Sequence, residues 1–150
     1  MLEPRRYLVA LSDPFAHALL AAAVAAPLGG APVRTAVAAG TLIDVDHMVA
    51  ARSLRIEPML SLAVRPRSHA LGVAVALGAV VVAAHGPRHG WAAFAGLASH
   101  LLRDASDTQA PTPLLWPVAA PRQIGRGLAV AGVAALALGS WAISRRAAAS

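Results

Sequence analysis

The stretch "HALGVAVALGAVVVAA", residues 69–84, has no charged residue after its leading histidine and presents apolar side chains all around a helix. A surface helix of a water-soluble domain keeps a polar face for solvent, whereas one that is apolar all round needs a dry environment on every side. A second run of this kind, "GLAVAGVAALALGSWAI" at 127–143, is followed by Arg145 and Arg146. Alanine and leucine dominate both, so they read as helix, and their surroundings read as lipid.

The rest of the chain agrees. Hydrophobic residues make up 57% and charged residues 13% of 150 positions, and the mean hydropathy is +0.61. A soluble domain carries about 25% charged residues. Three more apolar segments cover about 15–26 (ending at the breaker cluster "PLGG"), 32–51 and 91–103. A proline-rich loop, 105–126, contains "TQAPTPLLWPVAAPRQIG" and cannot be one continuous helix. The expected fold is all-α: a multi-span membrane helical bundle of four core helices plus a C-terminal helix, forming one domain over 1–150. Several segments are shorter than the roughly 20 residues of a perpendicular span. The first and fourth are therefore expected to dip partway or to be shielded by neighbours. Small residues throughout permit close helix pairing. A soluble bundle is the rival, and the two segments without a polar face argue against it.

There is no cysteine, which removes disulfides and thiolate metal sites. The net charge of +6 comes entirely from arginine. Those arginines are scattered between apolar stretches, and two Phe and one Tyr offer little for stacking on bases. Nucleic acid is therefore not an expected partner; anionic membrane lipids are. Asp13 and Pro14 interrupt the apolar stretch after Arg5 and Arg6, which argues against a cleavable signal peptide, although "AVAA" at 23–26 has the composition of a cleavage site.

Charge orients the bundle. With a cytoplasmic N-terminus, Arg5, Arg6, Arg52, Arg55, Arg65, Arg67, Arg103, Arg122 and Arg126 fall on the cytoplasmic side, against Arg34 and Arg88 opposite. This is a positive-inside bias, and it suggests a multi-pass protein of the inner (plasma) membrane. Arg145 and Arg146 break the rule if the last helix spans, so that helix is the open part of the topology.

On this topology His17, then Asp44, Asp46 and His47, then His69, then His100 and Asp104 all gather at the cytoplasmic end, delivered by four helices. His100 and Asp104 are four residues apart and Asp44 and His47 three, so each pair shares a helix face. Asp46 points elsewhere on a regular helix, as an orienting group or where the helix frays. Helical bundles build metal sites by directing carboxylates and imidazoles inward. Imidazole and carboxylate without thiolate suit a divalent metal, Zn first, with Mn or Fe as alternatives, as one or two ions. Taken singly, each residue reads equally well as a cap, a headgroup anchor or a hydrogen-bonded core pair; it is their common depth that favours a ligand set. His85 and His89, in "HGPRHG", lie at the other end and read as loop residues. Arg65 and Arg67 flank the cluster and are candidate substrate-binding groups, since guanidinium forks match phosphate and carboxylate oxygens; headgroup anchoring explains them equally well.

The order "FAHALL", "GTLIDVDH", "RPRSHALG", "GLASHLLRDASDT…PLLWP" resembles the YdjM-like family of predicted inner-membrane, metal-dependent hydrolases, over about residues 15–121. A looser similarity links it to zinc-dependent phospholipase C proteins. The resemblance implies a multi-span protein whose His17, Asp44, Asp46, His47, His69, His100 and Asp104 bind metal and hydrolyse a substrate. Its strongest element is the Ser-His-Leu-Leu-x-Asp run with Thr108 and "LLWP". The chain departs from the family at Ile43, where a proline is usual, at Val64, where a histidine is usual, and at Ser68, where a threonine is usual; a loop glycine before "LLWP" is also missing.

The expected activity is hydrolysis of a lipid or phosphoester by metal-activated water, with Asp46 taking the proton. The rival is a non-catalytic metal-binding or transport protein, because intramembrane Asp and His also mark ion pathways. A purely structural cluster is the third reading.

Overall fold

The structure, a computed structural model, describes residues 4–106 and 110–149. Thr108, part of the family resemblance, lies outside the described residues. Helices α1 (Pro4–Ala25), α2 (Gly30–Leu42), α3 (Val45–Ala51), α4 (Ile56–Leu60), α5 (Leu71–His85), α6 (Pro87–Ser106) and α7 (Arg126–Ala149) follow one another, with a 3-10 turn at Ala26–Leu28. Among the described residues there is no strand, only an isolated bridge between Thr112 and Arg122. The all-α expectation holds. Of the described helices, α7 alone is both long and apolar enough to cross a membrane, and α5 is apolar but only 15 residues long.

Helix α6 is the axis of the molecule: α1, α2, α5 and α7 all pack on it. It can take so many neighbours because it is built from small residues, with Gly90, Ala92, Ala93, Ala95, Gly96, Ala98 and Ser99 all buried. A Cβ at Gly96 would sit 2.2 Å from the Ala36 carbonyl of α2, and one at Gly90 2.7 Å from the Gly78 carbonyl of α5. Backbones this close require glycine, and such small-residue crossings are how helices pair where apolar burial gives no drive. Large apolar side chains point outward instead, among them Phe15 and Leu19 on α1, Val75 and Val80 on α5, and Leu128, Val130 and Leu138 on α7. The α7 helix docks through Gly139, which lies under the Trp91 ring, and Ser140, whose hydroxyl accepts from Trp91 Nε1 at 2.9 Å.

Three features differ from the sequence expectation. Helix α1 does not begin near Phe15 but runs through Asp13 and Pro14. The fall in hydropathy there comes from a polar side chain facing inward, not from a chain break. His17 is consequently near the middle of its helix rather than at its start. The second segment, read as continuous over 32–51, divides at Ile43–Asp44 into α2 and α3, where backbone bonds tighten to i→i+3 at Asp46 and His47. No glycine or proline announces this break. His85 and His89 are helical, closing α5 and opening α6, rather than loop residues.

The chain leaves α3 through a Schellman turn. Arg52 N–H donates to Val49 and Ser53 N–H to Met48, with Arg52 at φ 48°. An arginine in the left-handed region costs about 1 kcal/mol relative to glycine. The loop that follows is held by the proline-rich segment: Arg65 N–H donates to the Pro111 carbonyl and Leu71 N–H to the Leu114 carbonyl. Ile124 N–H in turn donates to Ala105 at the end of α6. These three bonds fix the position of His69 relative to α6.

Candidate metal centre

Every sequence-selected ligand arrives at one place. From α6, His100 and Asp104 project side by side, one turn apart, and are 0% and 1% exposed. His69 comes from the latched loop and His17 from α1, both fully enclosed. The tightened turn at 43–47 brings Asp44, Asp46 and His47 in together; on a regular helix Asp46 would have pointed away.

The tightest part is a trio. His100 Nε2 lies 3.3 Å from His69 Nε2 and 3.1 Å from Asp104 Oδ2, and His69 Nε2 lies 3.4 Å from the same oxygen. Metal–ligand bonds of about 2.0–2.2 Å in a tetrahedron place donor atoms roughly 3.3–3.6 Å apart. Two of the trio's edges, 3.3 and 3.4 Å, lie in that range and the third, 3.1 Å, is slightly shorter. Asp44 Oδ1 is close by, 3.5 Å from His100 Nε2 and 3.9 Å from His69 Nε2. This carboxylate is more open, at 29% exposure.

The imidazoles are held in the orientation a ligand needs. A carbonyl can only accept, so the 2.8 Å contact between His100 Nδ1 and the Gly40 oxygen puts the proton on Nδ1. In the neutral ring Nε2 then offers its lone pair to the trio. His69 has a parallel arrangement, with Nδ1 3.2 Å from Asp46 Oδ2. Asp46 also faces His47 Nδ1 at 3.1 Å and accepts from the Ser68 hydroxyl. Such carboxylate–histidine pairs fix the ring of a metal ligand and raise its basicity. Asp46 therefore sits behind His69, on the side away from the trio. Burial would raise the Asp46 carboxyl, but His47, His69 and Ser68 outweigh it and hold it well below the usual carboxylate range. Burial would lower His69, but Asp44, Asp46 and Asp104 push it up to about 9.

Arginines complete the cluster. Arg65 Nη1 lies 3.0 Å from Asp104 Oδ2 and 3.4 Å from His47 Nε2. Arg67, expected beside it, stacks over the Trp116 ring at 5.6 Å. Two residues were missed in the sequence. Asp13 faces His17 Nε2 at 3.5 Å, and Arg103 joins them, 2.5 Å from Asp13 Oδ1 and donating to His17 Nε2 at 2.8 Å. The Asp13–His17 spacing mirrors His100–Asp104, and that was the available signal.

Charge and geometry both leave room for a cation. Asp13, Asp44, Asp46 and Asp104 oppose two guanidiniums, and the two remaining negative charges are met by protons on the imidazoles, His69 first, or by one divalent ion. Asp104 is buried, yet neither of its oxygens accepts a well-directed hydrogen bond. Its charge is faced by Arg65 Nη1 at 3.0 Å and by the imidazoles of His17, His69 and His100. Overlapping groups of these residues (His69, His100 and Asp104; His17, Asp44 and His100; Asp44, His47 and His69; Asp13, His17 and Asp104) each bring donor atoms within 4.8 Å of one another, close enough to hold a metal ion. No family model, curated protein or solved structure matches the chain.

Proposed function

We propose that the protein is a membrane-bound, metal-dependent hydrolase whose His69, His100 and Asp104 hold one divalent ion, zinc before manganese or iron. The observation that carries this reading is the trio of mutual distances, 3.1, 3.3 and 3.4 Å, between donor atoms of three buried side chains. Three protein ligands with a position left for water is the pattern of catalytic rather than structural zinc. The resemblance to the YdjM-like family and the outward apolar side chains support the same assignment and a multi-pass location in the inner membrane, with the site on the cytoplasmic side.

The bound ion would supply water that ionises near neutral pH and a counter-charge for the oxyanion that develops on the substrate. The chain's own groups do the rest. Asp44, beside the two imidazoles and partly open, takes the proton from water, the role the sequence suggested for Asp46. Asp46 holds the His69 ring and Gly40 holds His100. Arg65 places a positive fork at the same spot and fits an anionic phosphoester oxygen. One ion rather than two follows from Arg103, whose guanidinium already lies between Asp13 and His17, where a second would bind.

The test uses protein purified in detergent, stripped with chelator and reloaded with zinc. Turnover of a panel of phosphomonoesters, phosphodiesters and carboxylic esters is expected to disappear on stripping and return on loading. Loading without turnover of any substrate class would replace this reading with a non-catalytic metal-binding or transport protein.

A further inference from the structure

We propose that the apolar groove between α2 and α5 holds one hydrocarbon chain of a membrane lipid whose phosphate lies at Arg65 and the metal trio. The inference rests on the hydrolase reading for what happens to that lipid, and on the groove itself for its binding.

The two helices both pack on α6 but leave between them a cavity of ≈ 580 Å³. Ala39 and Ile43 line it from α2, Val73, Leu77 and Val81 from α5, and Leu97 forms the floor on α6. Each wall ends at the metal centre. Ile43 immediately precedes Asp44, Val73 is one turn past His69, and Leu97 is one turn before His100. A chain lying in the groove therefore emerges among Asp44, His69 and His100, whichever wall it follows. From Val73 to His85 at the far end is twelve residues, about 18 Å of helix. One leaflet of a bilayer is about half of the ~30 Å hydrocarbon core, or ~15 Å. The groove thus has the depth of one leaflet, with an apolar bed that ends beside the metal centre.

The neighbouring surface identifies the occupant as lipid rather than a partner helix. Leu42, which lines the groove from α2, is 67% exposed, and Val75 and Val80 elsewhere on α5 are 59% and 66% exposed. The groove is thus open to apolar surface at its Leu42 rim, as expected where a lipid enters sideways from the bilayer. Arg65, with its positive charge at the metal centre, complements a phosphate headgroup.

The experiment reconstitutes the whole protein in phosphatidylcholine vesicles containing a few mol% of a phosphatidic acid with a photoreactive diazirine midway along one acyl chain. Crosslinks are mapped by peptide mass spectrometry at equal metal content. Labelling is expected to concentrate on 39–43 and 73–81, to saturate, and to be competed by unlabelled phosphatidic acid. It is expected to fall at least tenfold in Ala39→Phe and, independently, in Val81→Phe. Labelling spread over the outward faces of α5 and α7, unsaturated and unchanged in both variants, would overturn the proposal. Turnover of a water-soluble phosphoester on the same wild-type sample keeps the two readings apart: its absence beside intact groove labelling rejects the hydrolase and leaves the lipid site standing.

Discussion

Asp104 faces two sets of donors that look alike in composition and differ in what lies between them. On its Oδ1 side are His17 and Asp13, with the Arg103 guanidinium 2.8 and 2.5 Å from them. On its Oδ2 side are His69 and His100, whose nitrogens face one another at 3.3 Å while Arg65 Nη1 lies 3.0 Å from the carboxylate. A guanidinium neutralises the first set with directed N–H donors and leaves it inert. In the second, two imidazole nitrogens and the Asp44 and Asp104 oxygens converge with no guanidinium between the two nitrogens, an arrangement that suits a cation or an extra proton. The same residue types thus make a guanidinium-bridged cluster on one side and a candidate ligand set on the other.

The sharpest way to break this contrast is to remove a ligand. His100→Ala or Asp104→Asn is expected to lower metal affinity by more than about 100-fold, beyond the 10–100-fold typical of groups that only orient a ligand. Competition against a fluorescent zinc chelator reads this directly. Asp46→Asn removes a group behind His69 and belongs in that smaller range, about 10–100-fold. A ligand-sized loss there would mean that Asp46 binds the ion itself.

A third outcome concerns pH. His69 is raised from its ordinary 6.5 to about 9, so its ion pairs with Asp44 and Asp46 stabilise the metal-free protein fully below 6.5. That contribution is lost as pH rises through about 9. Metal binding must displace this proton, so affinity is expected to rise about tenfold per pH unit up to about 9 and then level. In Asp46→Asn the levelling is expected at lower pH, because one cause of the shift is gone. Titrations at fixed ionic strength from pH 6 to 10 measure both.

The smallest effect is expected on the Oδ1 side. Arg103→Gln breaks a partly exposed pair and is expected to cost about 0.2–1 kcal/mol of stability, as such pairs do, with metal affinity within about threefold of wild type. Thermal melts and the same chelator competition test it. A loss of affinity like that of His100→Ala would show that the two sides act as one site.

Much of this was legible in the sequence, and the reasons are specific. Apolar segments located α5 and α7, because hydropathy reports helices that are apolar on every face, and the run 91–103 located the greater part of α6. His17, Asp44, His47, His69, His100 and Asp104 were legible as candidates because four separate segments carry them to one depth. Asp13 and Arg103 were not: Asp13 next to Pro14 reads as a break, and Arg103 reads as a headgroup anchor until α1 is placed beside α6. The division at Ile43–Asp44 has no breaker residue and is set by contacts far away in sequence, as is the role of the Gly40 carbonyl. The latch from 110–124 to His69 is backbone bonding, which no side-chain pattern announces.

The central claim is that one side of Asp104 holds a single ion. Metal content per chain, measured by elemental analysis of native protein after exhaustive dialysis, tests it most directly in the wild type, Arg103→Gln and Asp104→Asn. The expected values are one ion in the first two and none in the third. Metal content unchanged in Asp104→Asn, or two ions in the wild type, would contradict the account.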